Sequence, residues 1–281
     1  MKFSVVIVDY RSWPYTLRCI DSLYRTGYQD LEVVVVNNDQ SESPEIPHPA
    51  RLIRNPENLG FARACNQGVS ASSGEYVVFI NPDTLVGGAF FESLGEFFDE
   101  NPKAGVAGPK IMEADGNLQL SARKDLSFVS GLLGRTSLLT RLFPNSSLVR
   151  QLFPAAEKLA SPTTVDWVSG ACMMVRRRTL EEIGPMDERF FMYFEDADLC
   201  RRAREAGWLV YYLSHVGILH HSGASSGNRP RAIWDLHKSA FLYHRKYRPH
   251  GPLGLYSLLT LVGLSSRALI KLATSLAKSG K

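Results

Sequence analysis

The 281-residue chain has only four cysteines, Cys19, Cys65, Cys172 and Cys200, and no two of them form a C-x-x-C pair. That spacing argues against a thiolate metal knuckle or a redox pair, and reads as free, buried thiols in a reducing compartment. No stretch reaches the roughly 20 apolar residues of a membrane span. The opening MKFSVVIVDY has too short an apolar run, and no small-residue cleavage site, for a secretory leader. A cytoplasmic protein is therefore expected. There is no G-x-G-x-x-G after the first apolar run and no G-x-x-x-x-G-K-[ST] anywhere. A nicotinamide-dependent oxidoreductase and a P-loop nucleotidase are both disfavoured by that lack. Charge of one sign is scarce too: 32 Lys and Arg against 28 Asp and Glu leave a net +4. That excess is too mild for nucleic-acid binding, but it suits an anionic substrate or an anionic membrane surface.

What is present is the pattern of an α/β protein. Hydrophobic residues make up 44% and charged residues 21%, with no internal repeat and no long linker, so a single sizeable core is expected. Phe3 to Val8 reads as a buried strand, and Pro14 and Gly27 bracket an amphipathic helix. Leu31 to Val36 is a second apolar run, with a short strand near Leu52 and Ile53. The loop Asn55 to Gly60 then leads into a helix that stops near Gly74. Tyr76 to Ile80 is short, apolar and bounded by Gly74 and Pro82, the signature of a fully buried strand. Strand, helix, strand, strand, helix, strand implies a parallel sheet with crossover helices.

Further on, Phe90 to Phe98 reads as a helix, Ala104 to Ala107 as a strand and Asp115-Gly116 as a hairpin turn. Residues 126–162 loosen into Leu and Phe patches broken by Gly, Pro and Ser, an insertion suited to acceptor binding. Ala171 to Arg176 is a strand, Thr179 to Ile183 a short helix closed by Gly184, and Asp196 to Ala206 a helix closed by Gly207. Leu209 to Leu213 and Val216 to Leu219 are late strands, the second ending in His220 and His221.

The polar residues cluster at strand ends. Asp9 follows the first strand, Asn38 and Asp39 the second, Asn81 and Asp83 the fourth. Carboxyl ends of parallel strands share one edge, where open α/β sheets bind ligands. One aspartate there is commonly a loop cap; three clusters make a rim suited to a nucleotide and a hard cation. A second constellation, RFFMYFEDADLCRRAREAGW, places Glu195 and Asp196 at a helix start behind Phe190, Phe191, Tyr193 and Phe194. Acidic residues in a first turn are ordinary. Apolar walls around a carboxylate, however, raise its pKa and make it a better base. The third is His220-His221-Ser222-Gly223, followed by GASSGNRPR with Arg229 and Arg231. It reads either as a simple loop or as a lid carrying cations toward phosphates.

These segments carry a resemblance. SVVIVDY, VVVVNNDQS, NPENLGFARACNQG, GEYVVFINPDT, SGACMMVRRRTLEEIG and MDERFFMYFEDADLCRRAREAGW occur in this order. The chain resembles the family 2 glycosyltransferases, inverting nucleotide-sugar enzymes, and within them the bacterial rhamnosyltransferase-like subgroup that builds cell-surface polysaccharide. The likeness covers roughly residues 3 to 110 and 165 to 223. It implies the GT-A fold: a Rossmann-like, mostly parallel central sheet flanked by helices, here with a C-terminal helical extension. Residues 1–223 would form the transferase domain, with 1–110 the nucleotide-sugar half and 111–223 the acceptor half. Residues 224–281 would be a lid loop and C-terminal helices.

The resemblance also implies roles. Asp9 and Asp39 would hold the nucleoside, Asp39 near the base, and Asn58, Gly60, Phe61 and Asn66 would line the nucleotide-sugar pocket. Asp83 matches the last aspartate of the family's D-x-D motif, and His220 a histidine that ligates metal in some relatives. Asp196 matches the general base, with Glu195 beside it. From their positions rather than from the resemblance, Asn38 and Arg229 are further candidates for nucleotide-sugar binding. The implied cofactor is Mg²⁺ or Mn²⁺, and the implied partners are a nucleotide-diphosphate sugar donor and a glycan or polyprenyl-diphosphate-linked acceptor. One departure bears on the metal: Asn81 stands where the motif has its first aspartate. A neutral amide oxygen is a weaker ligand, so millimolar metal is expected. A non-catalytic nucleotide-sugar-binding homologue is the competing reading, and the presence of both Asp83 and Asp196 argues against it. Finally, Pro252 to Lys281 has a broad apolar face with Arg267, Lys271 and Lys278. That pattern reads as an amphipathic helix lying on an anionic membrane surface, or packing on the core or on a second copy in a homo-oligomer.

Overall fold

The computed structural model describes residues 2–119, 121–123, 162–221 and 229–247, together with residues 263 and 265. Nearly all of the 126–162 insertion and of the 252–281 tail therefore lies outside the described residues. The elements that position the site are β1 (Phe3–Asp9), α1 (Trp13–Tyr24), β2 (Leu31–Asn37), β3 (Arg51–Arg54), α2 (Phe61–Ser70), β4 (Tyr76–Ile80), β5 (Thr84–Val86) and α3 (Phe90–Glu100). They are followed by β6 (Ala104–Glu113), β7 (Leu118–Gln119), β8 (Ala122–Arg123), β9 (Thr163–Thr164), β10 (Trp167–Val168) and β11 (Cys172–Arg176). The chain continues through α4 (Arg177–Ile183), α5 (Glu195–Glu205), β12 (Leu209–His220) and α6 (Arg229–Tyr247).

The main sheet runs β3-β2-β1-β4-β11-β6-β12-β5. β1, β2, β3 and β4 are mutually parallel, as the crossover helices require. β11 enters antiparallel between β4 and β6, so the sheet is mixed but mostly parallel. Strand period dictates which layer each side chain joins. Phe3, Val5 and Ile7 of β1 pack with α1 and α3, where Ile20, Leu23, Phe91 and Leu94 complete one core. Val6 and Val8 point the other way, into a second core with Ala64 and Cys65 of α2 and Leu199 and Cys200 of α5. Gly68 allows that close approach, because a Cβ there would meet Val6 Cγ1 at 2.3 Å. All four cysteines are free and buried, as expected.

Two elements differ from the sequence reading. The late strands form one continuous β12, whose register against β6 shifts between Leu213 and Gly217, so a bulge rather than a turn separates the two apolar runs. Helix α6 begins at Arg229, where a loop was read: Pro230 at its start is favourable for a helix rather than disruptive. The expected break after Ile80 holds, with Asn81 donating its N–H to Ala171 across the sheet at 2.9 Å.

Candidate active site

The carboxyl ends of β1, β2 and β4 open into two adjoining cavities of about 380 and 390 Å³. Each is of a size that holds a ligand of a few rings. Phe61, Asn81, Met192 and Tyr193 line both, so the two form one cleft. The first is rimmed by Asn38 and Asn58 on one side and by Arg231 and Asp235 of α6 on the other. The second is lined by Trp167, Gly170, Glu195, Asp196 and His220.

The rim of the first cavity is an amide lattice. Asn38 Nδ2 donates to Asn58 Oδ1 at 3.0 Å, and Asn38 Oδ1 accepts from Asn55 Nδ2 and from Leu59 N. Asn58 Oδ1 also accepts from Gly60 N at 2.9 Å. The carboxylate of Asp39 closes a turn onto the Ser41 N–H and hydroxyl and pairs with exposed Arg11 at 3.2 Å. Asp9 lies just behind this rim, fully buried, and does not line either cavity. Its carboxylate accepts from the hydroxyls of Ser12 and Thr16 in the first turn of α1. Burial pushes the Asp9 carboxyl above its usual range, against the pull of those donors.

Gly60 and Asn66 hold the cleft together rather than line it. Gly60 has φ +88 and ψ 163, a conformation essentially restricted to glycine, and a Cβ there would stand 2.7 Å from the Phe191 carbonyl. That absence of a side chain lets Phe61 N–H donate to Phe191 O across the cleft. Asn66 clasps Met186 through both backbone groups, at 2.9 Å each, and adds Glu188 at 3.0 Å.

The segment so clasped, residues 184–194, delivers the acidic pair. Arg202 on α5 donates to the carbonyls of Ile183, Gly184 and Pro185. Ser239 on α6 donates to Met192 O at 2.8 Å. With both ends fixed, Tyr193 and Phe194 are held at φ +71 and +69 immediately before α5. Left-handed non-glycine residues of this kind are strained, and such strain concentrates at functional sites. Asp196 accepts from Gly170 N and from Ala197 N, both at 2.8 Å, which favours its anion. Glu195 Oε2 is buried with no hydrogen-bond partner. Burial, reinforced by the charge of Asp196, raises the Glu195 carboxyl far above its usual range. Burial also raises Asp196, and the two amide donors pull against it. Within this pair the two amide donors favour charge on Asp196, and the unpartnered oxygen of Glu195 favours the proton there.

At the back of the cleft, His220 Nε2 lies 3.1 Å from Asp83 Oδ1 and 3.5 Å from Asn81 Nδ2. His220 Nδ1 lies 2.9 Å from Gln119 Oε1. An imidazole nitrogen beside a carboxylate, with the Asn81 amide next to them, is a donor set suited to a divalent cation. Among the described residues no group of three His, Cys, Asp or Glu side chains gathers to hold a metal. A divalent ion held here would have one carboxylate and one imidazole from the chain, with its other ligands from substrate and water. Sequence reasoning missed Gln119, Asp235 and the clasp role of Asn66, because each depends on a contact between distant segments. The side chain of Arg229 lies outside the described residues.

Among solved structures, the chain is similar to the mannosyltransferase PcManGT from Pyrobaculum calidifontis, solved with GDP-Man and Mn²⁺. The TM-score is 0.59 at 16% identity, over 100% of this chain and 81% of that one. It is also similar to S. aureus TarS in complex with UDP, with TM-score 0.54 at 16% identity over 95% and 71%. These likenesses establish the GT-A fold. In sequence, the N-acetylglucosaminyl-diphospho-decaprenol L-rhamnosyltransferase of Mycobacterium tuberculosis is 32% identical over 260 residues, 85% of this chain and 82% of that protein. The low-salt glycan biosynthesis hexosyltransferase Agl10 of Haloferax volcanii is 26% identical over 228 residues, 77% and 66% of the two chains. The model of the glycosyl transferase family 2 matches residues 4–184. The chain with this cleft belongs to the family 2 glycosyltransferases.

Proposed function

We propose that the chain is an inverting hexosyltransferase that moves L-rhamnose from a dTDP- or UDP-linked donor to a hydroxyl of a lipid-diphosphate-linked sugar, in cell-surface polysaccharide synthesis. The observation that carries this reading is the shared wall of the two cavities. The amide-rimmed cavity suits a nucleoside diphosphate, and the adjoining one holds a carboxylate pair split into one acid and one anion. The sugar named for the 32% identical mycobacterial relative supports rhamnose, and its name supports a polyprenyl-diphosphate acceptor.

In this reading the Asp196 anion takes the proton of the acceptor hydroxyl as that oxygen attacks the anomeric carbon in line with the departing diphosphate. Proton transfer by a positioned base is worth about 10²- to 10⁴-fold in rate. Gly170 and Ala197 fix the direction of that carboxylate. Tyr193 and Phe61, common to both cavities, exclude water from the reacting centre. Asp83 and His220, with Gln119 orienting the imidazole, would hold a Mg²⁺ or Mn²⁺. A bound divalent ion supplies positive charge to a leaving diphosphate. Asn81 in place of a carboxylate makes that site a weak one. Among the described residues no helix is long and apolar enough to cross a membrane, so a lipid-linked acceptor would be reached from the membrane surface.

The test is incubation of the full chain with a panel of dTDP-, UDP- and GDP-sugars and a short-chain lipid-diphosphate GlcNAc, with and without Mn²⁺. The expected outcome is nucleoside diphosphate release with dTDP-rhamnose, and a product of inverted anomeric configuration by NMR. Binding without release for every donor would favour the non-catalytic reading, and a retained configuration would remove the single-base mechanism.

A further inference from the structure

Helix α6 has two unlike faces. Its inner face builds the cleft: Ala232 and Asp235 line the first cavity and Leu236 the second. Tyr243 packs against Phe194 with the rings tilted by 45°, and Lys246 reaches buried Asp198. Its exposed positions are Pro230, Arg231, Trp234, Lys238 and Arg245, and half-buried Phe241 falls among them. On a 3.6-residue repeat these lie in one stripe about 100° wide. Trp234 is 60% exposed, the highest of the large apolar side chains among the described residues, and Met192, which lines both cavities, is 37% exposed. The stripe carries no acid: Asp235, the helix's one acidic residue, is buried on the inner side and pairs with Arg231 at the stripe's edge, which leaves Lys238 and Arg245 as its outward cations.

We infer that this stripe is a membrane-docking surface that seats the cleft on an anionic lipid bilayer. An exposed indole flanked by cations matches the chemistry of the headgroup layer, where Trp settles at the boundary and Lys and Arg meet lipid phosphates. Charge complementarity selects anionic lipid over a protein partner, since a protein would need an acidic groove shaped to a lone tryptophan. The geometry suits the reaction as well. A helix is about 10 Å across with its side chains, so docking the outer face holds the cleft roughly one helix diameter above the headgroups. A sugar joined to a lipid through a diphosphate presents its hydroxyls at about that height. The inference rests on the lipid-linked acceptor proposed above, and it concerns α6, independently of the 252–281 tail.

The experiment uses the full chain and vesicles of equal parts phosphatidylglycerol and phosphatidylcholine carrying brominated acyl chains. Bromine quenches only a tryptophan that enters the acyl boundary, and the other tryptophans, Trp13, Trp167 and Trp208, are buried or half-buried. Quenching is expected in the wild type and should vanish in Trp234→Phe. Lys238→Gln with Arg245→Gln should weaken partitioning about 25-fold, roughly fivefold per cation at the surface. Equal quenching in Trp234→Phe, or vesicle binding without quenching, would overturn the inference and leave another segment as the anchor. Equal partitioning onto pure phosphatidylcholine would overturn it too. Transfer to a water-soluble acceptor separates the two readings. Transfer without quenching sinks the docking surface alone, and quenching without transfer from any donor sinks the proposed function alone.

Discussion

The two walls of the cleft hold their polar groups by opposite means. The wall from β1, β2 and α2 is built of neutral amides that satisfy one another: Asn38, Asn55 and Asn58, with Gln67 bonded to Asn55 at 2.8 and 3.0 Å. The wall from residues 184–194, α5 and α6 is built of buried charge and strained backbone. Asp198, fully buried, takes Arg202, Lys246 and Tyr247 at once. The difference matches the roles proposed for the two walls. A rim that binds a nucleotide needs donors and acceptors in fixed places, which amides supply at any pH. A base must stay ionised beside an orphan acid held off its ordinary ionisation, and that takes an over-determined backbone.

The largest expected effect tests the charged wall at its working group. Asp196→Asn should lower turnover about 10²- to 10⁴-fold, while donor binding by calorimetry stays as in the wild type, because the amide rim is untouched. Near wild-type turnover would transfer the base role to Glu195.

Asp198→Asn tests the same wall structurally. Removing that charge leaves Arg202 and Lys246 without their shared partner, a loss of about 3–5 kcal/mol. For a chain of this size that is roughly 6–20 °C in Tm. Asn55→Ala on the amide wall should cost about 1–3 kcal/mol, the penalty of neutral groups left unpaired. Equal losses in the two melts would mean that the walls are not built differently.

Gly60 joins the walls, so Gly60→Ala probes the joint. Its Cβ would meet the Phe191 carbonyl at 2.7 Å in a glycine-only conformation. A cost of about 2–3 kcal/mol is expected, with weakened donor binding. Gly27→Ala, also at positive φ but with open space around it, should cost about 1 kcal/mol and leave binding alone. Donor affinity unchanged in Gly60→Ala would show that residues 184–194 are not held through this contact.

The contrast between the walls also marks what was legible in the sequence. The short continuous apolar runs marked β1, β2 and β4, and with them the edge where Asn38, Asn58, Asn81 and Asp83 gather. Glu195 and Asp196 were legible as a pair, because an aromatic run before an acidic helix start is unusual. Their division of labour was not: it depends on Gly170 N–H, which is 26 residues away and reaches Asp196 alone. Asp9 and Asn66 were assigned to the ligand but bond to α1 and to Met186, since an acid or amide at a strand end or helix start serves either purpose. C-terminal helices were expected after residue 224, but the start of α6 at Arg229 was hidden in a Gly- and Ser-rich context.

The smallest expected effect concerns the protonation of Glu195. Its carboxyl is raised by burial and by Asp196, so the folded chain retains a proton that the unfolded chain has released. Below the ordinary Glu value of about 4.3 both states are protonated, and the group takes nothing from stability. As pH rises from there toward the raised value, the native state binds more protons than the unfolded state, and stability falls at up to about 1.4 kcal/mol per pH unit. Glu195→Gln removes that slope. The variant should match the wild type in urea melts near pH 4 and exceed it by a margin that grows as pH rises toward 8. Asp9→Asn on the amide wall should show no comparable gain, because Asp9 has the Ser12 and Thr16 hydroxyls to lose, whereas Glu195 Oε2 has no partner. A wild type that gains on Glu195→Gln as pH rises would place the proton on Asp196, and the roles of the two carboxyls would have to be exchanged.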